Sequence, residues 1–202
     1  MRVVVFGASG RTGRLVLAAL REAGHEPVAH GRSKPEGWGG PFVMGMPGES
    51  DAVRRALDGA AAAISCLASN KGDGVCLKTT QSVIEVAPAG FRYITLAGAA
   101  VDAAGDKKGL PDKIARGVMS LILGAMLRER QAELAALEAS SLDWTMARPP
   151  NLTNGPRTGR AAVSFNKPAS ARISRADLAA ALVEGLARPD FVRRAPFIAT
   201  GR

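Results

Sequence analysis

Three glycines near the start of the chain, Gly7, Gly10 and Gly13, stand at the spacing G-x-x-G-x-x-G. They lie between an apolar run, Val3 to Phe6, and an apolar helical pattern carried by Leu15, Val16, Ala19 and Leu20. Glycines so placed can bind a pyrophosphate. The first lets the chain turn sharply off a strand, the second lets backbone approach phosphate oxygens, and the third lets the following helix pack against the sheet. The free amides and dipole of that helix start favour an anion. The segment therefore predicts dinucleotide binding, with the pyrophosphate at Gly7, Gly10 and Gly13 and on the helix start at Arg11 and Thr12.

A second group of residues bears on which dinucleotide. Gly31-Arg32-Ser33 follow a short predicted strand, Pro27 to His30, about twenty residues beyond the glycine turn, as the fold requires for the adenosine ribose. A carboxylate there bonds the 2′-hydroxyl of NAD, whereas arginine accommodates the 2′-phosphate of NADP. No acid stands before Glu36, and Arg32, Ser33 and Lys34 form a cationic, hydroxyl-bearing cluster. A guanidinium grips phosphate through two parallel hydrogen bonds. The expected cofactor is NADP(H) rather than NAD(H). Neither His25 nor His30 has a partner at metal-ligand spacing, so no metal site is expected.

These residues need elements to hold them. Helices are predicted over 12–23, 49–57, 74–87, 118–139 and 174–186, and strands over 3–6, 27–30, 42–44, 60–67, 92–96, 143–147, 161–165 and 197–198. Strand and helix alternate without a break as far as residue 96, which argues for right-handed βαβ crossovers and a parallel sheet. The fold class is α/β: a single-domain Rossmann fold over 1–202, with a doubly wound, mainly parallel sheet and flanking helices. Ligands bind at the carboxyl ends of such strands. The segment 66–70 after the fourth strand is therefore expected over the cofactor, and 99–117 and 150–173 are expected to shape the substrate side. Residues 101–116 read as a polar loop. In the helix that follows, Leu121, Ile122, Leu123, Met126 and Leu127 make the first half apolar. The second half reads as amphipathic, with Arg128, Glu129, Arg130 and Glu133 outward and Leu134 and Leu137 inward. Pro149-Pro150 end the sixth strand rigidly and aim Asn151 and Leu152 at the ligand edge.

Composition narrows the function classes. At 202 residues with 47% apolar content the chain can bury one sizeable core. No uninterrupted apolar stretch reaches the eighteen residues of a membrane span. Met1-Arg2 run straight into the first strand, and Cys66 and Cys76 lack metal or disulfide spacing, so a reducing cytoplasm is expected. The net charge of +9 could serve nucleic acid, but aromatics are only 4% and the basic residues are dispersed. The same field would draw a phosphate-rich cofactor or an anionic small substrate, or it could reflect an arginine-rich surface.

Taken together, the chain resembles the atypical short-chain dehydrogenases/reductases with NAD(P)H-binding Rossmann folds, including the NmrA-like proteins and the flavin reductase/biliverdin-IXβ reductase group. The resemblance rests on Gly-Ala-Ser-Gly-Arg-Thr-Gly at 7–13, Arg32-Ser33, Arg-Pro-Pro-Asn-Leu at 148–152, Thr158-Gly159, and Ile-Ser-Arg-Ala-Asp-Leu at 173–178. It implies that Ser9 to Gly13 wrap the phosphates, that Arg32 and Ser33 hold the 2′-phosphate, and that Leu67 and Ala68 line the ribose and nicotinamide side. Pro150, Asn151 and Leu152 would contact the nicotinamide end. Two departures stand out. Met46 takes the place where the family commonly has an aspartate that contacts adenine, and the fifth strand ends in Thr95-Leu96-Ala97 where serines are common.

No Tyr-x-x-x-Lys is present, since the one tyrosine, Tyr93, has Ala97 four residues later. The expected activity is hydride transfer from NADPH to a flavin-like or quinone-like acceptor that can take its proton from water, leaving proximity and orientation to the protein. Thr95 and Asn151 are the candidates for orienting substrate, and Lys107, Lys108 or Lys113 could neutralise an anionic acceptor. The competing reading is a non-catalytic, NmrA-like dinucleotide sensor. A sugar-nucleotide epimerase or dehydratase is disfavoured, because such enzymes need the tyrosine and a larger C-terminal region.

Overall fold

The structure, a computed structural model, describes residues 1–68, 72–107 and 110–201, with the side chains of 110–123 outside that description. Strands β1 (Arg2–Phe6), β2 (Glu26–Gly31), β3 (Phe42–Met44), β4 (Ala62–Ser65), β5 (Arg92–Leu96) and β6 (Asp143–Ala147) form one parallel sheet. Its order is β3-β2-β1-β4-β5-β6. Between them run α1 (Arg11–Glu22), α2 (Ser50–Leu57), α3 (Val75–Val86) and α4 (Leu110–Ala139). This is the doubly wound Rossmann arrangement that the alternation predicts.

Strand pleating divides the core in two. Val3, Val5, Ile64, Ile94 and Leu96 face α1 and α5 (Arg175–Glu184), where they meet Leu17, Leu20, Leu178 and Leu182. Val4, Phe6, Tyr93 and Met146 face the other helices and pack with Val53, Val83, Leu134 and Leu137. The central strands are buried on both sides, which is why they read as nearly unbroken apolar runs.

The register aligns the carboxyl ends. Phe6 pairs with His30 and Ser65, Ser65 with Thr95, and Thr95 with Met146. The turns that follow these strands therefore open on one edge. Short strands complete that side. β7 (Asn151–Thr153) pairs in parallel with β9 (Arg172–Ser174), and β8 (Ala161–Ser164) pairs antiparallel with β10 (Phe197–Thr200).

Four expectations change. The fourth strand ends at Ser65 and not at Leu67, because its neighbour β1 stops at Phe6 and turns away. The last helix gives way at Gly185 to a tighter turn over Gly185–Ala187. Helix α4 begins at Leu110, inside the segment read as a loop. Pro111 is no obstacle there, since first-turn amides have no intrahelical partner to lose. Finally, Glu129, Arg130 and Glu133 are buried, at 7%, 7% and 0% exposure, and only Arg128 points outward as expected. Their partners are polar groups on α3, on β5 and in the chain just past β4, described below. Among the described residues no helix is long and apolar enough to cross a membrane.

Candidate cofactor and substrate site

The phosphate end is built almost wholly from backbone. Gly7 leaves β1 with φ +72, and a Cβ on it would crowd the Cys66 and Leu67 backbone at 3.1 Å. The Gly10 amide donates to the Gly7 carbonyl at 3.0 Å, closing the turn. Gly13 lies against that turn so tightly that a Cβ would fall 2.2 Å from the Gly7 oxygen. Close helix-to-turn approach is the demand that fixes glycine here. Gly10 caps α1 without a side-chain hydrogen bond, and no acid occupies the first turn. The amides at the start of α1 therefore face an edge where Ser9, Gly10 and Arg11 are exposed and Thr12 half-buried. Such a terminus fits a pyrophosphate.

A second cation joins this end. Arg175, the first residue of α5, donates to the Asn154 side-chain oxygen at 2.7 Å and to the Leu152 carbonyl at 3.3 Å. Burial, and then repulsion from Arg11, hold its guanidinium below the usual pKa. Neither arginine forms an ion pair among the described residues.

At the ribose end Arg32, Ser33 and Lys34 are all exposed directly after β2. Glu36, the first acid beyond them, lies 3.7 Å from Arg14 in an exposed ion pair. Met46 is 57% exposed beyond β3. His30 is completely buried and packs edge-on against the Phe6 ring, with neither ring nitrogen hydrogen-bonded. Burial, followed by the nearby Arg55 charge, lowers its pKa to about 4. It is a neutral core residue.

The remaining candidates separate. Leu67 is half-buried and Ala68 exposed just past β4, Pro150 and Leu152 are half-buried, and Asn151 is exposed. The Ala97 and Ala99 amides donate to Ala147 and Pro149 at 2.9 and 3.1 Å, which carries the β5–β6 pairing out to this edge. Thr95 does not reach it. Its side chain is fully buried and its hydroxyl donates to Glu133 Oε1 at 2.8 Å, beneath the sheet. Pleating sets Thr95 on the same face as Tyr93, whose phenol is pushed up by burial and by Glu133. Burial likewise pushes the Cys66 thiol up, to about 12. Lys107 is exposed; Ser69, Asn70 and Lys108, and the Lys113 side chain, lie outside the described residues.

Two buried ionic arrangements frame the substrate side. Arg148 is 1% exposed and grips both Asp106 carboxylate oxygens at 2.7 and 2.8 Å. It also donates to the Val101 and Ala195 carbonyls at 2.8 Å each and stacks 3.9 Å over the Phe197 ring. The segment after β5 is thereby tied to the end of β6. Lys107 adds a backbone bond to the Asn166 carbonyl at 2.9 Å, joining the two segments expected to shape the substrate side. The second arrangement is Asp177. Its carboxylate accepts from the Thr158 amide and hydroxyl, both at 2.8 Å, from the Gly159 amide at 2.9 Å, and from the Ser174 hydroxyl at 2.9 Å. Burial alone would raise this carboxyl; the hydrogen bonds from Thr158, Ser174 and Gly159 outweigh it and hold the pKa below its usual value. Ser174, three residues before the acid Asp177, has the spacing of a helix cap, and the cap geometry is present, with the Asp177 amide donating to Ser174 Oγ at 3.0 Å. The second duty of Asp177, fixing the Thr158-Gly159 turn, lay in the co-occurrence of those two motifs. Asp106 gave no sequence signal.

The profile of the NAD(P)H-binding family matches residues 7–189. The chain belongs to that NAD(P)H-binding family. Among solved structures it is similar to ChuY, an anaerobilin reductase from Escherichia coli O157:H7, at 20% identity and TM-score 0.79 over 99% of this chain and 97% of that one. It is similar to a proposed NADH-flavin reductase from Streptococcus pneumoniae TIGR4, at 19% identity and TM-score 0.79 over 99% of both chains. A proposed NAD-dependent epimerase/dehydratase from Bacillus halodurans aligns at 24% identity and TM-score 0.78 over 100% of this chain and 94% of that one. At such identities the likeness is one of fold. No curated protein sequence matches the chain.

Proposed function

We propose that this protein is an NADPH-dependent reductase that delivers hydride to a flat, conjugated acceptor of the flavin or quinone type. The observation that carries the cofactor choice is the ribose end. Three residues fit to hold a 2′-phosphate, Arg32, Ser33 and Lys34, stand exposed after β2, and the nearest following acid is turned toward Arg14. The bound cofactor supplies the hydride. The amides at the start of α1 and the Arg11 guanidinium hold its phosphates, and Leu67, Ala68, Pro150, Asn151 and Leu152 orient its nicotinamide end and exclude water there. Asn151, exposed on β7, is the side chain best placed to orient the acceptor. Such an acceptor takes its proton from water, so the buried Tyr93 phenol and the missing lysine are no handicap. The named activities of ChuY and of the S. pneumoniae protein, both similar in fold, support a reductase. The net charge of +9 favours an anionic acceptor such as FMN.

Calorimetric titration with NADPH and NADH tests the cofactor. NADPH is expected to bind more tightly, and Arg32→Ala should weaken it roughly ten- to hundredfold, the range of a charge-assisted hydrogen bond, while leaving NADH within about twofold. Equal loss for both nucleotides would refute the assignment of Arg32. NADPH oxidation with FMN and with quinones tests the chemistry; tight binding without turnover of any acceptor would favour the dinucleotide-sensor reading.

A further inference from the structure

Successive turns of α4 reach one connection, the chain between β4 and α3. Ala125 packs beneath Gly72, where an added Cβ would lie 2.6 Å from the Ala125 methyl. One turn on, Glu129 Oε1 accepts from the Cys76 and Leu77 amides at 2.8 and 3.4 Å, in the first turn of α3. Arg130 donates one nitrogen to Glu133 Oε2 at 2.6 Å and another to the Leu67 carbonyl at 2.7 Å. Glu133 Oε1 accepts from the Thr80 and Thr95 hydroxyls, both at 2.8 Å. Thr80 gives its proton to Glu133, so the Tyr93 hydroxyl, 3.0 Å away, is the donor to Thr80. The neighbouring Gln131 exchanges two hydrogen bonds with the Asp102 backbone, at 3.2 and 3.0 Å, and so holds the segment after β5.

A buried ion pair is a poor way to gain stability, because desolvating two charges consumes most of their attraction and apolar side chains of equal volume serve as well. What apolar side chains cannot do is hold a carbonyl. Leu67 lies two residues beyond the last residue of β4, past the end of that strand. Its neighbour Ala68 is exposed at the edge where the cofactor is placed.

We infer that Arg130 is a positioning residue for the nicotinamide half of the site, acting through the Leu67 carbonyl, with Glu133 keeping the guanidinium in place. The inference rests on the reading that the chain binds NADPH across the carboxyl edge of the sheet. It makes α4 a common support, since Arg130 fixes the cofactor side and Gln131 fixes the acceptor side from adjacent positions on one helix.

The test compares NADPH with 2′-phospho-ADP-ribose, which keeps the adenosine and phosphate end but lacks the nicotinamide. Both are titrated into wild type, Arg130→Lys, Arg130→Met, and the double variant Arg130→Met/Glu133→Gln, which removes the Glu133 charge together with that of Arg130 if the single change prevents folding. The fragment should bind all folded variants within about twofold of wild type. The advantage of NADPH over the fragment, roughly tenfold in wild type, should vanish in the methionine variants and persist in part with lysine. Equal weakening of both ligands would show that Arg130 is merely structural and overturn the inference, as would an unchanged NADPH advantage. A wild type that binds NADPH no better than the fragment also overturns it, because no nicotinamide half is then being held. A wild type that binds neither ligand sinks the cofactor reading itself, a result distinguishable from all the others.

Discussion

The two halves of the candidate site are made of different materials. The phosphate half is backbone: a glycine turn, an uncapped helix start, and a contact between Gly13 and the Gly7 carbonyl too close for any side chain. The other half, from the nicotinamide end to the substrate side, is assembled from buried charge: Arg130 on Glu133, Arg148 on Asp106, and Asp177 on the Thr158-Gly159 turn. A backbone site recognises a ligand that hardly varies, the pyrophosphate. A frame of buried side-chain pairs holds irregular segments, and those segments can differ in length and sequence while the frame stays. The difference suits a fold whose cofactor is constant and whose acceptor is not.

Breaking the frame should cost most. Arg148→Met would remove four hydrogen bonds from a side chain that is 1% exposed and strand Asp106, whose side chain is 8% exposed. Truncating one partner of a buried pair costs about 3–5 kcal/mol. Denaturant titration should show that loss, and adding Asp106→Leu to Arg148→Met should recover part of it. No recovery in the double variant would mean that the carbonyl and ring contacts of Arg148, and not its charge pair, hold the segment after β5.

Breaking the backbone half should cost less stability and more function. Gly13→Ala places a methyl against the Gly7 carbonyl, so the helix must shift away from the turn. Overpacking of this kind costs about 1–3 kcal/mol. Calorimetry should register a loss of dinucleotide affinity of at least tenfold, on the order of 1.4 kcal/mol. A variant that binds NADPH normally would show that the turn yields without disturbing the phosphate site.

This contrast also explains what could be read from the chain. The glycine turn is local: strand, turn and helix occupy residues 2–22, and each residue type reports its own backbone demand. Ser174 and Asp177 are legible for the same reason, three residues apart on one helix. Glu129, Arg130 and Glu133 were assigned to an exposed face because charge is the usual mark of one. Their partners, Leu67, Cys76, Thr80 and Thr95, lie between 38 and 63 residues away. One trace was present: β5 reads Arg-Tyr-Ile-Thr-Leu, and pleating puts the polar Tyr93 and Thr95 on a single buried face that needs polar company. Asp106 and Arg148 lie 42 residues apart, and nothing local marks that pair.

Acidity should separate the halves most gently. Neutral His30 beside Phe6 has a folded pKa of about 4 against an ordinary value of 6.5. Below pH 6.5 the unfolded chain takes up a proton that the folded one refuses, so stability falls as pH drops toward 4. The slope approaches about 1.4 kcal/mol per pH unit. Asp177 has the opposite chemistry but the same sign. Its carboxyl is held below the usual range, so its stabilisation is complete above that range and is lost only as the pH falls through its folded pKa. The β2 side should therefore weaken first and the Thr158-Gly159 turn later. Denaturation at pH 6.5 and 5.5 checks this order. Wild type should lose about 1 kcal/mol across that step and His30→Val much less. Parallel behaviour of the two proteins would mean that His30 accepts a proton in the folded state, and that the cofactor half is no more acid-sensitive than the frame beside it.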